Sequence, residues 1–467
     1  MARRPRVLFL SQCLPYPPHT GVAARTFNIL MQLQQSYDVD LVAFYRNRHQ
    51  PNRPALEASW AALRQVVGWG SVAEPTPIPG EHSLVRRLWD HARSLVTGRV
   101  YTFYEYDSRA FARQLRSVLR ARTPDIVHLD SLDLHRWLPE LPPVPITCTH
   151  HDIDSDLLRR RSRQLGPAER RYLLLQADRI ERLERELCPQ FAANVMMSEV
   201  DARKLGELAP GAATVVVPNG TDTDYFQPNC SPSIDKRVAF VGPTFSSHPN
   251  RDAVEFLLHE IWPRVRAVEG AASLRLIGRH APADHARYNA EPSVQALGQV
   301  PDIRPALAAA GCCVVPIRIG GGTRLKILDA WAMGKAIVST SIGCEGLDAV
   351  DGHNILIRDT PAGFAEAVVQ ILGDVELRRQ LEQHGRRTAV ERYSWSIVGK
   401  RLRDAYDGIG AAACAARCAR SVELATAQRE ESSHDVAPPP TPTNPAPSVP
   451  IGPQLAERQG REEGLEW

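Results

Sequence analysis

Short apolar runs alternate with longer amphipathic stretches along most of the chain. The runs form two series, and each series predicts a set of β-strands. The first series comprises 6–10, 38–44, 125–129, 145–149, 194–197 and 214–217. The second comprises 237–241, 274–277, 312–316, 336–340 and 354–357. Apolar strands interleaved with helices are typical of parallel sheets covered on both faces, so we predict an α/β protein with two Rossmann-like, doubly wound lobes.

Irregular backbone signals divide the chain. The segment 218–236 contains PNG and QPNCSPS, which predicts a hinge between a first lobe, 1–218, and a second lobe that begins at 219. After about residue 410 the composition becomes rich in Ala, Cys and Arg, and then in proline. Such a segment cannot bury enough apolar area to fold, so we predict a disordered tail over 411–467.

Composition excludes several classes of protein. The 467 residues carry 56 Lys+Arg and 53 Asp+Glu, a formal net charge of +3, and a dedicated nucleic-acid binder would be far more basic. No apolar run approaches the roughly 20 residues of a membrane-spanning helix. The nine cysteines contain no CxxC pair, which indicates buried thiols in a reducing compartment and predicts a cytoplasmic location without a zinc site.

One amphipathic stretch has two interpretations. Residues 155–190 are rich in Arg and Leu, and Ile180, Leu183 and Leu187 follow helical spacing. Structural packing is the favoured interpretation. The alternative is contact with an anionic membrane surface at the inner face of the membrane, in keeping with the excess of basic over acidic residues in 1–218.

Candidate chemistry in the first half lies where strands end. Gly21 precedes a helix, and a glycine there lets backbone N–H groups approach a phosphate or a sugar hydroxyl. The strand 145–149 runs into His150 and His151, and Asp130 ends the strand before it. Ligands of open parallel sheets bind beyond these strand ends, so the two histidines are candidates for polarising a sugar hydroxyl or binding phosphate. Asp130 and His128 could line the same crevice. Structural or surface histidines are the alternative.

The segment PIRIGGGTRLKILDAWAMGKAIVST, 316–340, predicts a strand, a glycine loop, a helix and a second strand. Backbone donors at the start of the helix, with Arg324 and Lys326 beside them, suit a diphosphate, and Asp329 could accept ribose hydroxyls. A second glycine loop after the strand 237–241 contributes Gly242. The predicted donor-binding residues are Gly242, Gly321, Gly322, Thr323, Arg324, Lys326 and Asp329.

At these motifs the sequence resembles the GT-B glycosyltransferases of the large retaining group 4. The resemblance covers about 5–409 and rests on PYPPHTGVAARTFNIL, THHDIDS, VVPNGTDTDYFQP and the glycine block followed by Gly343 and Glu345-Gly346. It is closest to bacterial exopolysaccharide and exosortase-associated sugar transferases. The resemblance implies a nucleoside-diphosphate sugar in a second lobe, 219–393, and a glycan or lipid-linked acceptor in the first. It also implies a helix over 394–410 that crosses back to the first lobe.

The resemblance further implies individual roles. His151 matches the catalytic histidine near the reacting sugar, with Gly21, His150 and Asp130 on the acceptor side. No metal is expected, because cationic side chains and helix N-termini take the charge of the diphosphate, and no cofactor is expected, because the nucleotide-sugar is itself a substrate. The chain departs from the family's Glu-x7-Glu motif, since Gly321 replaces the first acid and Asp329 the second. A non-catalytic nucleotide-sugar-binding or partner-binding homologue, or a nucleotide-sugar 2-epimerase, therefore remain alternative functions.

Overall fold

The computed structural model describes residues 3–18, 20–47, 49–68, 70–81, 83–163, 165–228, 236–245, 248–319 and 325–434, without the side chains of 248 and 416–434. Residues Met1–Cys414 form one compact unit, which does not include the residues from Ala415 onward. Of the described helices, none is both long enough and apolar enough to cross a membrane.

The first lobe is built on an eight-stranded parallel sheet with the order β3-β2-β1-β5-β6-β7-β8, in which β4 pairs with β2. The strands are β1 Arg6–Ser11, β2 Asp38–Tyr45, β3 Ser71–Val72, β4 Thr76–Pro77, β5 Ile126–Leu129, β6 Ile146–Thr149, β7 Ala193–Met196 and β8 Thr214–Val216. Val7 of β1 pairs with Val39 on one side and Ile126 on the other. The strand order reverses between β1 and β5.

The second lobe repeats this arrangement with a six-stranded parallel sheet in the order β11-β10-β9-β12-β13-β14. The strands are β9 Arg237–Thr244, β10 Ser273–Arg279, β11 Val294–Gly298, β12 Cys312–Val315, β13 Ile337–Ser339 and β14 Leu356–Ile357. The order reverses between β9 and β12. The prediction of two doubly wound parallel-sheet lobes is confirmed.

Helices connect the strands and cover both sheets. In the first lobe they are α1 Gly21–Leu33, α2 Arg53–Val66, α3 Leu84–Thr97, α4 Thr102–Glu105, α5 Arg109–Ala121, α6 Asp154–Ser162, α7 Pro167–Leu187 and α8 Glu199–Leu208. Afterwards come α9 His248–Phe256, α10 Trp262–Val268, α11 Pro282–Tyr288, α12 Arg304–Ala308, α13 Leu325–Ala332, α14 Pro361–Gly373, α15 Val375–Tyr393 and α16 Trp395–His434. Polar caps start several of them; the Thr20 hydroxyl, for example, accepts from Ala23 N at 3.2 Å to begin α1.

The long amphipathic stretch packs against the protein. It forms α6 and α7, in which Ile180 is buried and Leu183 and Leu187 pack against the core around Phe111 and Trp137. Burying these apolar side chains supplies the main free energy that holds the helix in place. The favoured packing interpretation of this stretch is confirmed.

The two lobes are joined by two crossing segments that touch each other. Thr221 N donates to Tyr393 O at 2.8 Å, and Trp395 N donates to Thr221 O at 3.3 Å. A Cβ on Gly220 would lie 2.7 Å from the Trp395 ring, so the glycine of PNG is needed for this close approach. The segment 218–236, where we predicted the hinge, thus begins with backbone that is hydrogen-bonded to the second crossing segment at 393–395. Residues 229–235 of the predicted hinge lie outside the described residues.

The last helix, α16, returns to the first lobe. Val398, Leu402 and Tyr406 are buried in the core around Val7 and Leu30. The helix runs on to His434, past residue 410, where we predicted the crossing helix to end. Residues 435–467, which include the proline-rich part of the predicted tail, lie outside the described residues.

Candidate active site

Both predicted groups of site residues follow strands that lie at, or next to, the reversal points of their sheets. His151 and Asp130 follow β6 and β5, and Lys326 lies on α13, which follows β12. At such a reversal point the two connections leave the sheet in opposite directions, which opens a crevice at the carboxyl ends of the strands. The topology therefore gives each lobe a crevice at the position where the motifs lie.

The first-lobe group is centred on Asp130, which is fully buried. Its carboxylate lies 3.0 Å from Ser11 Oγ at the end of β1 and 2.9 Å from Thr26 Oγ1 on α1. The Asp130 carbonyl oxygen accepts from His151 Nε2 at 2.8 Å. Since Nε2 carries the donated proton, the neutral His151 ring keeps Nδ1 as its acceptor nitrogen.

His151 and His150 occupy different environments although they are neighbours in sequence. The side chain of His151 retains 13% of its exposure, whereas His150 is buried and makes a 2.9 Å hydrogen bond to Asn194 Oδ1. Burial lowers the pKa of His150 to about 4, against the opposing effect of the Asn194 hydrogen bond. His150 is therefore neutral and held inside the protein, and His151 is the histidine that reaches the surface.

The residues predicted on the acceptor side differ in exposure. The side chains of His150 and Asp130 are buried and hydrogen-bonded within the first lobe. Gly21 is exposed at the start of α1, where an added Cβ would meet open space.

His128, one residue from the end of β5, is also buried and does not face the crevice. It contacts the Tyr406 hydroxyl of α16, and Tyr406 in turn lies 2.7 Å from Thr147 Oγ1. Burial lowers the pKa of His128 to about 4. This histidine anchors the returning helix to the first sheet.

In the second lobe, Lys326 lies between the β9 loop and the start of α13. Its Nζ donates to Asn250 Oδ1 at 3.0 Å and lies 4.6 Å from the centroid of the Phe240 ring. Asn250 Nδ2 donates to Thr244 O at 2.9 Å. A Cβ on Gly242 would come within 3.1 Å of Phe245, so this glycine lets the loop pack closely beside Lys326. The four predicted donor residues Gly321, Gly322, Thr323 and Arg324 lie outside the described residues.

Asp329 faces the interlobe connection from the first turns of α13. Its Oδ1 accepts from Thr221 Oγ1 at 2.8 Å. Burial raises the pKa of the Asp329 carboxyl from its ordinary value of 3.8 to about 7, and the Thr221 hydrogen bond opposes this only in part. Asp329 therefore changes its charge near neutral pH.

Sequence reasoning missed Arg25, which ties α1 to the interlobe connection. Its side chain is 1% exposed, and its guanidinium donates to Val217 O at 2.8 Å and to Asn219 Oδ1 at 3.1 Å. Burial lowers its pKa to about 10, while the nearby Asp130 carboxylate acts in the opposite direction. A lone arginine among the apolar positions of α1 was the available signal.

The lobes also meet through α6 and the segment that follows β13. Arg160 NH1 and NH2 lie 3.0 and 3.3 Å from the two carboxylate oxygens of Glu345. A pocket beside this bridge is lined from the first lobe by Asp152 and Ile153 and from the second by Glu345 and Gly346. The residues directly after His151 and the end of the donor block thus share one interlobe pocket.

These contacts define what the arrangement can do. The first lobe offers an imidazole of fixed tautomer, and the second offers a cation and a carboxyl group at the start of a helix, where backbone N–H groups favour anions. Such a pair suits a ligand with an anionic part on the second lobe and a hydroxyl-rich part on the first. Within the described ranges no three His, Cys, Asp or Glu side chains form a metal-binding group.

Two family models match this chain. One described as Glycosyltransferase Family 4 matches residues 19–225, and one described as Glycosyl transferases group 1 matches residues 235–374. The first match covers the first lobe and ends in the interlobe connection, and the second lies within the second lobe. The chain therefore carries one domain of the Glycosyltransferase Family 4 type and one of the Glycosyl transferases group 1 type, arranged as the two lobes of a GT-B fold.

The individual proteins to which the chain is similar share only 14–27% of its residues over the aligned regions. The chain is 27% identical over 223 residues to a phosphatidyl-myo-inositol mannosyltransferase of Mycobacterium tuberculosis, covering 44% of this chain and 57% of that protein. It thus spans little more than half the length of the curated relatives it matches. The fold is similar to sucrose-phosphate synthase from Thermosynechococcus elongatus, with 16% identity, a TM-score of 0.64 and coverage of 87% and 100% of the two chains. It is also similar to Anabaena HepE in complex with UDP and glucose, with 14% identity, a TM-score of 0.55 and coverage of 86% and 99%.

Proposed function

We propose that the protein transfers a sugar from a nucleoside-diphosphate sugar to a hydroxyl group of a glycan or lipid-linked acceptor, with retention of the anomeric configuration. The observation that supports the proposal is the interlobe pocket, in which Asp152, next to His151, meets Glu345 of the second lobe. The two matched glycosyltransferase domains support it. The reaction belongs in the cytoplasm, and a role in exopolysaccharide assembly is the proposed context.

On the donor side, Lys326 takes the charge of the diphosphate. Its ammonium group is already oriented by Asn250 at the start of α13. Fixed positive potential at the departing phosphate stabilises the charge that develops there in an oxocarbenium-like transition state. Asp329, in its charged form, accepts ribose hydroxyls in place of Thr221. The backbone and side chains of 321–324 are proposed to complete the diphosphate site, so that no metal is required.

On the acceptor side, His151 orients the reacting sugar or the acceptor hydroxyl. The Asp130 carbonyl holds its Nε2 proton, which leaves Nδ1 to accept a proton or hydrogen bond from a hydroxyl group. The named activity of the mycobacterial relative, a phosphatidyl-myo-inositol mannosyltransferase, favours a lipid acceptor with free hydroxyls. Gly21 gives that acceptor close access to the start of α1.

One observation keeps a second function in view. Asp329 already accepts a hydrogen bond from Thr221, and its carboxyl group is largely protonated below pH 7. In addition, Gly321 replaces an acid of the family motif. A chain that binds a nucleotide-sugar without transferring it would tolerate both features. Nucleotide binding without turnover over a panel of acceptors would favour this alternative, and conversion of the sugar without acceptor would favour an epimerase.

The decisive experiment is a thermal-shift screen of the full chain with UDP, GDP, ADP and their sugars. A ligand that binds only the folded state raises Tm. We expect at least one diphosphate to do so, and we expect Lys326→Ala to abolish most of that shift and to lower kcat/KM for transfer by about tenfold or more, as for loss of a charged phosphate contact.

Lys236→Ala is the matched control. Lys236 lies on the same lobe and pairs with Glu269 at the surface, so its removal should leave the ligand-induced shift unchanged. Unchanged sugar transfer by Lys326→Ala, or equal losses in both variants, would refute the proposed donor site.

A further inference from the structure

The helix α3 is amphipathic, but its apolar face points to the solvent and its polar face points into the protein. Its apolar residues lie at 84, 85, 88, 89, 92, 95 and 96, a spacing that places them on one helical face. That face is exposed: the relative exposures are Leu84 62%, Val85 77%, Leu88 60%, Trp89 61%, Leu95 51% and Val96 87%. A soluble domain normally turns such a face inward.

Polar residues hold the opposite face against the protein. Asp90 is 1% exposed and accepts from Arg86 Nε at 2.8 Å. Ser94 is fully buried; its hydroxyl donates to Arg99 O at 2.8 Å and accepts from Gln176 Nε2 at 2.9 Å. Arg179 of α7 donates to Ser94 O at 2.7 Å. Rotating α3 to bury its apolar face would break this buried polar set, so the outward orientation is fixed.

The same patch carries positive charge at its edges. Arg87 is exposed on one side of the apolar face, and Arg99 follows the helix end. Beside them, a hollow is lined by Arg93, Arg99, Arg136, Phe103, Tyr104, Asp107, His135 and Pro139. Within it the guanidinium of Arg99 lies 4.3 Å from the centroid of the Phe103 ring, and Arg136 lies 3.5 Å from the Asp107 carboxylate. Arginines outnumber acids here.

We propose that α3 is a lipid-docking helix that lies in the interface of an anionic bilayer. Leu84, Leu88 and Val96 would enter the acyl boundary, Trp89 would sit at headgroup level, and the arginines would contact lipid phosphates. Interfacial helices combine this apolar face with a basic rim, and long arginine side chains reach the headgroups from the edge of the apolar face. The rim is the observation that selects anionic lipid over an uncharged apolar partner.

This proposal moves the membrane contact from the stretch 155–190, where the sequence allowed it, to α3. The buried Ile180 removes the apolar face of α7 from contact with lipid, whereas the apolar face of α3 is open. Docking goes beyond the proposed sugar transfer and does not depend on it, because α3 needs neither donor nor acceptor to meet a bilayer.

Co-sedimentation of the full chain with vesicles tests the proposal without nucleotide or acceptor. We expect binding to vesicles containing phosphatidylglycerol and much weaker binding to pure phosphatidylcholine. The double variant Leu88→Glu/Trp89→Glu should lower the partition coefficient at least about tenfold, because it places two carboxylates on the membrane face. Arg87→Gln/Arg99→Gln should lower the partition coefficient only for the anionic vesicles. The remaining binding of this variant should no longer depend on the salt concentration.

Val268→Glu/Val375→Glu is the matched control, since these residues are 73% and 52% exposed on the second lobe and receive the same charge change. Circular dichroism and the nucleotide-induced Tm shift should be equal in all variants. Equal binding by the α3 double variant and the control pair, or no vesicle binding by the natural chain, overturns the proposal. A concentration-dependent dimer that the α3 variant abolishes, without vesicle binding, would identify the face as a self-association surface and likewise overturn it. Loss of nucleotide binding alone would refute the donor site and leave docking intact.

Discussion

Asp130 of the first lobe and Asp329 of the second are both buried acids near a sheet reversal, but their surroundings differ. Each follows the strand that lies across the reversal point from the first strand of its sheet. Asp130 is fully buried between two hydroxyl groups and near the buried Arg25. Asp329 has one hydroxyl partner, Thr221, and its pKa is raised to about 7.

The difference is consistent with the proposed roles, in which Asp130 positions other groups and Asp329 binds the donor. A carboxylate with two hydroxyl partners and a nearby guanidinium is satisfied and has no reason to exchange partners. A carboxyl that burial keeps partly protonated stores unfavourable energy, which a ligand with hydroxyl donors could release. The first lobe thus holds its histidine in a hydrogen-bonded network, whereas the second lobe keeps Asp329 buried with a single hydroxyl partner.

The largest expected effect comes from Asp130→Asn. An amide removes the negative charge beside Arg25 and replaces one acceptor oxygen with a donor, so we expect a loss of about 3 kcal/mol in the free energy of unfolding. Urea denaturation of the natural chain and the variant measures it. Asp178→Asn, at an exposed ion pair with Arg159, is the control and should cost at most about 1 kcal/mol. Equal costs would show that Asp130 is not the centre of the network.

Asp329→Asn should act in the opposite direction. Between about pH 4 and 7 the folded state binds more protons at Asp329 than the unfolded state, so this residue destabilises the fold increasingly as pH rises through that range. Removing the charge should raise stability at pH 8 by about 2 kcal/mol and have little effect at pH 4. The variant should also bind the nucleotide about tenfold more weakly, because it loses a charged acceptor for the ribose.

Melting curves at the two pH values and calorimetric titration with the diphosphate identified by the screen test this pair of effects. A stabilised variant with unchanged affinity would show that Asp329 is a strained structural acid with no role in binding. A variant that is less stable at pH 8 would contradict the raised pKa itself.

The smallest expected effect concerns the bridge between the lobes. Arg160→Gln should change the free energy of unfolding by less than about 1 kcal/mol, because the pair with Glu345 is partly exposed. Arg116→Gln removes a bridge of similar geometry to Glu140 within the first lobe and serves as the control. We expect only Arg160→Gln to change nucleotide affinity and the radius of gyration in solution scattering. Identical behaviour of the two variants would mean that the bridge does not control the crevice.

Local sequence signals specified much of the fold and part of the site. The alternation of apolar strands and amphipathic helices predicted two parallel sheets, because a strand buried on both faces needs apolar residues at nearly every position. The PNG motif and the loop at Gly242 marked places where the backbone approaches other residues closely, as Gly220 does against Trp395. His151, Lys326 and Asp329 were recognisable because their residue types stand at strand and helix ends.

Burial and partner choice could not be obtained in this way. His150 and His151 are adjacent residues of the same type, so the sequence does not distinguish them. Only the hydrogen bond to Asn194 beside β6 shows that His150 is the interior histidine. Arg25 meets Asn219 across almost two hundred residues, a contact that no local pattern encodes. Such roles depend on which elements become neighbours after the sheet order is set.

The helices α3 and α5 show which properties the sequence determined and which the tertiary structure decided. The sequence by itself determined that both are amphipathic, since spacing along one helix fixes the faces that its side chains share. Only the tertiary structure decided that α5 buries Phe111 and Leu115 while α3 buries Asp90 and Ser94. The physical reason is that periodicity defines a face, whereas the neighbours across the interface, here the hydrogen-bonding groups of α7, decide which face points inward.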